Sequence, residues 1–226
     1  MSLAKEFAAR YAGLRQAYGT FTANNETRED GKASGKNITI SKELSDTDLL
    51  KLWEDHLSGH QSVGIVAIDE HNKCVWGAID VDEYQLDLKD LAIKIAKQKL
   101  PLVLCRSKSG GAHIYLFLTE PVAASMLQRK LRQIAAAIGY GQVEIFPKQT
   151  KLLLDRGDRG STLNMPYFGG DNSTRYAYGK DGKALTPKEF LNYAKEIELK
   201  PSTLERLEAS PLNEGLEWLD QAPPCL

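Results

Sequence analysis

The chain has 226 residues, the length of one domain with a short appendage. Its apolar fraction of 42% and charged fraction of 26% are ordinary for a globular protein, and no apolar run approaches the roughly 18 residues that a membrane-spanning helix needs. The formal net charge of -1 excludes an overall basic surface, so a nucleic-acid partner would have to be recognised by a local arrangement of charges.

The N-terminal part of the sequence predicts two helices separated by a polar loop. Apolar residues at helical spacing across 3–18 predict an opening amphipathic helix. Residues 23–37 are polar and interrupted by glycine, which is typical of an exposed loop. Ser45 is a suitable N-cap for a short helix that includes Trp53. We expect Trp53 and Trp76 to be core residues rather than platforms for base stacking.

The middle of the chain alternates strands with helices. The predicted elements are strands at 62–68 and 74–81, a helix at 87–99, strands at 102–105 and 112–118, a helix at 122–138 and a strand at 142–146. Residues 69–73 are predicted to join the first two strands as a hairpin. The order β-β-α-β-β-α-β predicts an α+β fold with helices against a mixed or antiparallel sheet. A further helix is predicted to begin at Thr186-Pro187.

An acid pair ends the second predicted strand, in the sequence Ile79-Asp80-Val81-Asp82. Because strand side chains alternate between faces, Asp80 and Asp82 point the same way while their apolar neighbours point into the core. Two adjacent carboxylates repel each other unless a cation lies between them, and Mg²⁺ or Mn²⁺ suits such oxygen ligands. A solvated strand end would give the same pattern.

A polar turn, residues 106–113, lies between two apolar strands and reads Arg-Ser-Lys-Ser-Gly-Gly-Ala-His. Its backbone amides, with the side chains of Arg106 and Lys108, could surround a phosphate group. Two glycines would allow the phosphate to approach the backbone closely, and His113 could donate to a triphosphate oxygen. An ordinary hairpin turn with a hydrogen-bonded histidine fits the same residues.

A third acid, Glu144, is flanked by Val143 and Ile145 in an apolar strand. Such an acid either points into a site or occupies a solvated face. Basic residues that could contact template phosphates follow it, although acids among them also fit a solvated loop: Lys148, Lys151, Arg156 and Arg159.

Cysteine and histidine spacing argues against a zinc site. His56 and His60 have a metal-like spacing, but a Ser-Gly pair interrupts the helix that would align their rings. Cys74, Cys105 and Cys225 lie far apart and form no C-x-x-C pair. Their pattern predicts reduced thiols in a cytoplasmic protein.

Taken together, these motifs resemble those of the archaeo-eukaryotic primase superfamily: a strand Asp-x-Asp, a small-x-His turn and an acid on a later strand. The matching residues are Asp80 and Asp82 for the first motif, Gly111-Ala112-His113 for the second and Glu144 for the third. The residues in and around the last two motifs are similar to those of the prokaryotic and phage primase-polymerase branch. The segments Asn164-Met165-Pro166-Tyr167 and Thr174-Arg175-Tyr176 are also similar to that branch. The resemblance covers residues 60–180 well and the N-terminal part loosely.

The resemblance implies an RNA-recognition-like mixed sheet that carries the active site, with an N-terminal α/β portion packed beside it. It implies template-dependent nucleotidyl transfer by a DNA primase, a DNA polymerase or both, with two Mg²⁺ or Mn²⁺ ions held by Asp80, Asp82 and Glu144. The residues implied to hold the nucleotide are Arg106, Ser107, Lys108, Ser109, Gly110, Gly111, His113 and Arg175. The implied partners are a DNA template and primer and nucleoside triphosphates, with no membrane.

We expect the catalytic domain over residues 1–200 and a C-terminal helix and tail over 201–226. In a longer protein this tail would lead into further replication domains, such as a helicase.

Two other functions fit parts of the pattern. A two-metal nuclease would use the same acids to activate water, but it would not need a turn that holds a triphosphate. A non-catalytic nucleic-acid-binding module would need exposed aromatic side chains on the central strands, where Asp80 and Asp82 stand. The sequence leaves open the choice between dNTPs and NTPs.

Overall fold

The computed structural model describes residues 1–27, 33–83 and 85–209. Within these ranges the helices are α1 (Leu3–Arg10), α2 (Asp46–Leu57), α3 (Leu88–Lys97), α4 (Ala124–Ala137), α5 (Pro187–Ile197) and α6 (Pro201–Arg206). The strands are β1 (Ala17–Thr27), β2 (Ala33–Ser41), β3 (Val63–Val66), β4 (Lys73–Val81), β5 (Val103–Arg106), β6 (Ala112–Ala123), β7 (Glu144–Phe146) and β8 (Thr162–Asn164). Short 3-10 helices occupy Leu154–Arg156 and Gly170–Asn172.

The strands form two antiparallel sheets, and the fold is α+β as expected. The N-terminal sheet has the order β2-β1-β3-β8, and the central sheet has the order β5-β6-β4-β7. In chain order the central sheet is β4-α3-β5-β6-α4-β7, with β4 and β6 in its middle. This is the RNA-recognition-like topology that the sequence motifs implied.

The central sheet is covered on both faces. Alternate residues of β4 belong to two cores: Ile79 and Val81 pack with residues of α3 and α4, whereas Trp76 and Ala78 pack with residues of the N-terminal sheet, α1 and α5. Burial of each large apolar side chain stabilises the fold by about 1.5–3 kcal/mol. The two-sided core explains why the strand is a nearly continuous apolar run.

The core between the sheets is rich in aromatic side chains. Tyr11 lies at its centre, with ring centroids 5.7 Å from Trp53, 5.3 Å from Trp76 and 5.3 Å from Tyr115. Trp53 and Trp76 are fully buried, which confirms their prediction as core residues. Aromatic pairs at such separations add to the stabilisation from burial alone.

Two predicted helix starts are confirmed with their capping chemistry. The Ser45 hydroxyl accepts from the Asp48 amide, and the Thr186 hydroxyl accepts from the Glu189 amide. In both helices the acid side chain accepts from the cap residue's own amide in return, which completes a capping box.

The N-terminal prediction was wrong in two places. The opening helix ends at Arg10, because the chain turns to hydrogen-bond with the N-terminal sheet, where the Leu14 amide donates to the Val66 carbonyl at 3.0 Å. Strands β1 and β2 occupy most of the predicted loop at 23–37, of which residues 28–32 lie outside the described residues. β2 is the edge of its sheet and exposes residues 36–39, so its apolar alternation is limited to Ile38 and Ile40, which is too short to identify a strand.

The predicted hairpin at 69–73 is also wrong. β3 pairs with β1 and β8 in the N-terminal sheet, whereas β4 pairs with β6 and β7 in the central sheet. The connection is a tight turn, in which the Asp69 amide donates to the Lys73 carbonyl at 2.8 Å, but it carries the chain from one sheet to the other.

At the C-terminal end of the described residues, α6 packs on the central sheet and buries Leu204 completely. The remainder of the predicted tail, from residue 210 and including Cys225, lies outside the described residues. Cys74 and Cys105 are buried free thiols. Among the described helices, none has both the length and the apolar character needed to cross a membrane.

Candidate active site

The sequence-predicted residues meet on one face of the central sheet. In the strand register Asp80 is directly opposite His113 of β6 on one side and Glu144 of β7 on the other. Directly opposed residues in antiparallel strands share a face, with Cβ atoms about 4.5–5.5 Å apart. Asp82 is the first residue after β4, and the charges of Asp80, His113 and Glu144 all act on its carboxyl, which places it beside them. We call Asp80, Asp82, His113 and Glu144 the acid row.

The acid row lies on the same face of the central sheet as the side chains that pack into the aromatic core. Ala78 and Tyr115, two positions from Asp80 and His113 in their strands, belong to the core between the sheets. The candidate site is therefore the polar end of this face, at the C-terminal end of β4. Asp80 is held at its edge, with a side chain that is only 12% exposed.

Asp80 has an unsatisfied carboxylate oxygen. Its Oδ1 atom is buried and lies 3.3 Å from Nε2 of His113, but it receives no hydrogen bond in the described residues. An unsatisfied buried acceptor, if charged, costs more than the roughly 1–3 kcal/mol of a neutral one, so such atoms are rare and call for a partner. A bound cation would satisfy this oxygen.

Asp82 is the most perturbed acid of the row. Partial burial raises the pKa of its carboxyl, and the negative charge of Asp80 raises it further. Glu144 acts in the same direction, whereas His113 and a hydrogen bond from the Ser109 hydroxyl lower the pKa in part. Uncompensated carboxylate repulsion of this kind is what a divalent cation would relieve.

Glu144 shares the face but directs its carboxylate elsewhere. Its Oε2 atom forms an ion pair of 2.5 Å with Nζ of Lys148, and its side chain is more than half exposed. In the described residues no three acid, histidine or cysteine side chains converge closely enough to hold a metal. Carboxylate oxygens are donors that suit Mg²⁺ or Mn²⁺, and for Glu144 to bind such an ion it would have to exchange Lys148 for it.

The turn between β5 and β6 is closed by its own backbone. The Ser107 amide donates to the Gly111 carbonyl at 2.8 Å, and the Gly110 amide donates to the Ser107 carbonyl at 3.2 Å. Gly110 has a φ of 102°, which side chains disfavour. A Cβ atom on Gly111 would lie 2.1 Å from the carbonyl oxygen of Val81, so only glycine allows the turn to approach the acid strand this closely.

Side chains of this turn reach in three directions. The hydroxyls of Ser107 and Ser109 share a hydrogen bond at 3.2 Å, and Ser109 also contacts Asp82. The Arg106 guanidinium donates to the Thr174 carbonyl at 3.3 Å. The Lys108 ammonium stands over the ring of Phe21 in β1 and so connects the turn to the N-terminal sheet.

Arg175 reaches the same face from a segment beside β5. Ala177 forms an antiparallel bridge with Cys105, which is opposite His113, and the charge of Arg175 acts on the hydroxyl of Tyr115, which places the guanidinium near the acid row. Its side chain is nearly buried, and one guanidinium nitrogen, Nη1, has no hydrogen-bond partner in the described part of the chain. Burial lowers its pKa to about 10, so it remains a cation at neutral pH.

The chain around Arg175 is held in place by local contacts. The Tyr167 amide donates to the Arg175 carbonyl at 3.0 Å, and the Arg175 amide donates to the Ser173 hydroxyl at 3.0 Å. The guanidinium carbon lies 5.1 Å from the centre of the Phe168 ring. Among the described residues, the site therefore contains one guanidinium nitrogen and one carboxylate oxygen that are buried without a hydrogen-bond partner.

Tyr115 is a residue of the site that the sequence reasoning missed. Its hydroxyl is hydrogen-bonded to Nδ1 of His113 at 3.2 Å, and the residue is fully buried. The available signal was the strand period, because a residue two positions after His113 must share its face. A tyrosine inside an apolar strand gives no sign from sequence that its hydroxyl reaches a polar neighbour.

The four predicted template-binding residues are not grouped together. Lys148 lies beside Glu144, but the chain then leaves the acid row, and the Leu152 amide donates at 2.6 Å to the side chain of Asn72. Asn72 precedes β4 at the end opposite Asp80, roughly 25 Å away at the rise of a strand. Lys151, Arg156 and Arg159 belong to this distant segment.

The central sheet thus carries, on one face, carboxylates, a histidine, a serine-glycine turn and a buried arginine, which are the parts that a metal-dependent phosphoryl-transfer enzyme requires. The family model of the archaeo-eukaryotic primase domain of TOTE conflict systems matches residues 5–197. The chain belongs to this family, whose superfamily members are nucleotidyltransferases.

The other comparisons are more distant. Among solved structures the chain is similar to the polymerase domain of Mycobacterium tuberculosis Ligase D, in complex with DNA, with 17% identity and a TM-score of 0.39 over 91% of this chain and 89% of that chain. No curated protein matches the sequence. The assignment therefore rests on the family model.

Proposed function

We propose that this chain is a template-dependent nucleotidyltransferase that acts as a DNA primase, a DNA polymerase or both. The observation that carries the proposal is the acid row, in which Asp80 lies between His113 and Glu144 with an unsatisfied oxygen. Membership of the primase family supports the same reaction class. Two divalent ions bound there would lower the pKa of the attacking 3′-hydroxyl and neutralise charge on the leaving pyrophosphate.

The chain's own residues would bind and orient the nucleotide. Asp80, Asp82 and Glu144 are the proposed ligands of the ions. His113 would donate from Nε2 to a triphosphate oxygen. Arg175 would donate to another from the nitrogen that has no partner in the described residues, and its charge would strengthen that hydrogen bond. The turn over 106–111 would supply backbone amides and the side chains of Ser109, Lys108 and Arg106.

We propose that the DNA crosses the molecule along the central sheet. Lys148 would contact it beside the site. Contacts from Lys151, Arg156 and Arg159 would need a duplex that extends about seven to eight base pairs from the site, given a rise of roughly 3.4 Å per base pair. A cytoplasmic location and a link to a helicase or other replication domains belong to the same proposal.

Two observations weigh against the rival functions. Trp76, Tyr115 and Phe117 on the inner face of the central sheet are at most 1% exposed, so they cannot stack on bases as a recognition module requires. One buried guanidinium nitrogen of Arg175 has no partner in the described residues, and such a donor suits the charge of an incoming triphosphate better than the single phosphodiester that a nuclease holds.

The deciding experiment is to incubate the protein with a primed DNA template, dNTPs or NTPs, and Mn²⁺. Extension supports the proposal, degradation would indicate a nuclease, and binding alone would indicate a recognition module. Omission of the primer separates priming from extension.

The matched variants are Asp80→Asn and Glu120→Gln. Asp80→Asn should lower any extension rate at least a hundredfold, which is roughly 2.7 kcal/mol in the barrier. Glu120→Gln should retain the rate, because Glu120 is an exposed acid at the far end of β6. Normal extension by Asp80→Asn would remove the acid row from the mechanism.

A further inference from the structure

The hydroxyl of Tyr115 lies where it can control the orientation of His113. It is 3.2 Å from Nδ1 of His113, whose other nitrogen, Nε2, lies 3.3 Å from Oδ1 of Asp80. The three groups form a chain from the interior of the protein to the acid row. The histidine ring is nearly buried, with a side chain only 9% exposed, so few other groups can hold it.

The chemistry of these groups selects one tautomer of the neutral ring. A carboxylate accepts hydrogen bonds and cannot donate them, so a neutral ring would carry its proton on Nε2, which faces Oδ1 of Asp80 at 3.3 Å without a formed hydrogen bond. Nδ1 is then a lone pair, and Tyr115 must donate to it. Burial raises the pKa of the Tyr115 hydroxyl well above its usual range, so this donor keeps its proton at neutral pH.

Tyr115 also lies near the second proposed phosphate-binding group. The positive charge of Arg175 acts on the Tyr115 hydroxyl and offsets part of the effect of burial on its pKa. The ring of Tyr115 is fixed by the aromatic core, with centroids 5.3 Å from Tyr11 and 5.9 Å from Phe117. A donor on a rigid ring holds its hydrogen-bond partner, here His113, in a fixed direction.

We propose that Tyr115 is a positioning residue that holds His113 with its proton on Nε2, directed to the acid row and to the incoming triphosphate. The inference rests on the proposed function for its consequence, but the tautomer of His113 can be measured without any nucleotide. Tyr115 touches no substrate and acts only through His113.

The first test is the nitrogen NMR signature of the histidine rings in the metal-free protein, in which four histidines have to be assigned. In the wild type, His113 should show a protonated Nε2 and an unprotonated Nδ1. Tyr115→Phe, which removes one oxygen and keeps the ring, should mix the tautomers or shift these signals. The control is Tyr193→Phe at the edge of the same core, because the Tyr193 hydroxyl is influenced by Lys180 and Glu196 rather than by Tyr115 and its loss should leave His113 unchanged.

The second test is a double-mutant cycle on binding of fluorescent dATP and fluorescent ATP with Ca²⁺, which prevents turnover. Tyr115→Phe should weaken binding of the preferred nucleotide about 3- to 10-fold and leave template affinity unchanged. In the background of His113→Ala the same change should have no effect, because the hydroxyl no longer has a ring to position. Additive losses would show a merely structural role.

The outcomes separate this inference from the proposed function. An unchanged His113 signature in folded Tyr115→Phe overturns the positioning role, whether or not the wild type synthesises DNA. An altered signature in a protein that joins no nucleotides supports the positioning role and removes the proposed function.

Discussion

At the scale of single residues, Asp82 shows how a functional carboxylate can oppose folding. Its pKa is raised by partial burial and by the charge of Asp80, so the folded protein binds its proton more tightly than the unfolded chain does. Stability from this group is therefore lowest at neutral pH, where it is ionised, and rises as pH falls through the raised pKa. A site that binds cations must carry this repulsion when it is empty.

We expect Asp82→Asn to raise the melting temperature of the metal-free protein at pH 7.5 by a modest amount, and to abolish synthesis. The gain should shrink as the pH is lowered, because wild-type Asp82 is then neutral as well. Mn²⁺ should stabilise the wild type more than the variant. Thermal melts with EDTA and with Mn²⁺ measure both effects, and an unchanged or lower melting temperature in EDTA would contradict the repulsion between Asp80 and Asp82.

The sequence identified the residues of the acid row but not their neighbours. Asp80, Asp82 and His113 stand out because polar groups interrupt apolar strands at regular positions. That Glu144 is opposite Asp80 depends on which strands pair, and packing of α4 and β7 decides that pairing rather than any local pattern. Tyr115 could not be selected because its ring belongs to the core and only its oxygen belongs to the site.

At the scale of elements, the turn between β5 and β6 is positioned by Gly111. Its missing side chain lets the backbone pass the end of β4, and a Cβ atom would meet the Val81 and Glu83 carbonyl oxygens at 2.1 and 3.3 Å. Both oxygens belong to the backbone that carries the acid pair. A side chain at this position would therefore separate the turn from the acids rather than merely fill space.

We expect Gly111→Ala to destabilise the protein by about 1–3 kcal/mol, the usual range for overpacking, and to weaken nucleotide binding at least tenfold. Gly141→Ala is the control, since its Cβ atom would have only ordinary contacts, the nearest at 3.5 Å from Ala136. Urea unfolding and nucleotide binding measure the two effects. Equal behaviour of both variants would show that the turn does not depend on its close approach to β4.

Elements with apolar patterns were predicted well, and polar ones were not. Helices α3, α4 and α5 and the four strands of the central sheet follow from apolar spacing, and the start of α5 also follows from its capping residues. The strands β1 and β2 were missed because residues 22–37 carry almost no apolar side chains, so no alternation marks them as strands. Placement of β3 and β4 in different sheets was missed because a tight turn looks the same in sequence whether or not its strands pair.

At the scale of the whole molecule, His56 connects the N-terminal part to the segment that carries Arg175. Its Nδ1 atom accepts from the Val63 amide at 3.0 Å, and its Nε2 atom donates to the Pro166 carbonyl at 2.8 Å. The ring is fully buried and uses both nitrogens, so it has no lone pair left for a metal. Burial lowers its pKa to about 4, so the folded protein keeps the ring neutral.

This burial predicts a loss of stability in mild acid. The pKa of a histidine in the unfolded chain is about 6.5, so protons favour the unfolded state as soon as the pH falls below that value. The contribution of the neutral His56 ring to the free energy of unfolding is fully present above pH 6.5. It declines down to pH 4, by at most about 3 kcal/mol over that range. Urea unfolding at pH 7.5, 6 and 5 should show this decline.

The variant His56→Gln can keep one hydrogen bond but cannot titrate. It should be less stable than the wild type at pH 7.5, and its free energy of unfolding should depend much less on pH. His71→Gln, an exposed histidine before β4, should retain the wild-type dependence. If His56→Gln declines as steeply as the wild type, another group controls the acid response, and the link between α2 and the Arg175 segment does not depend on a neutral ring.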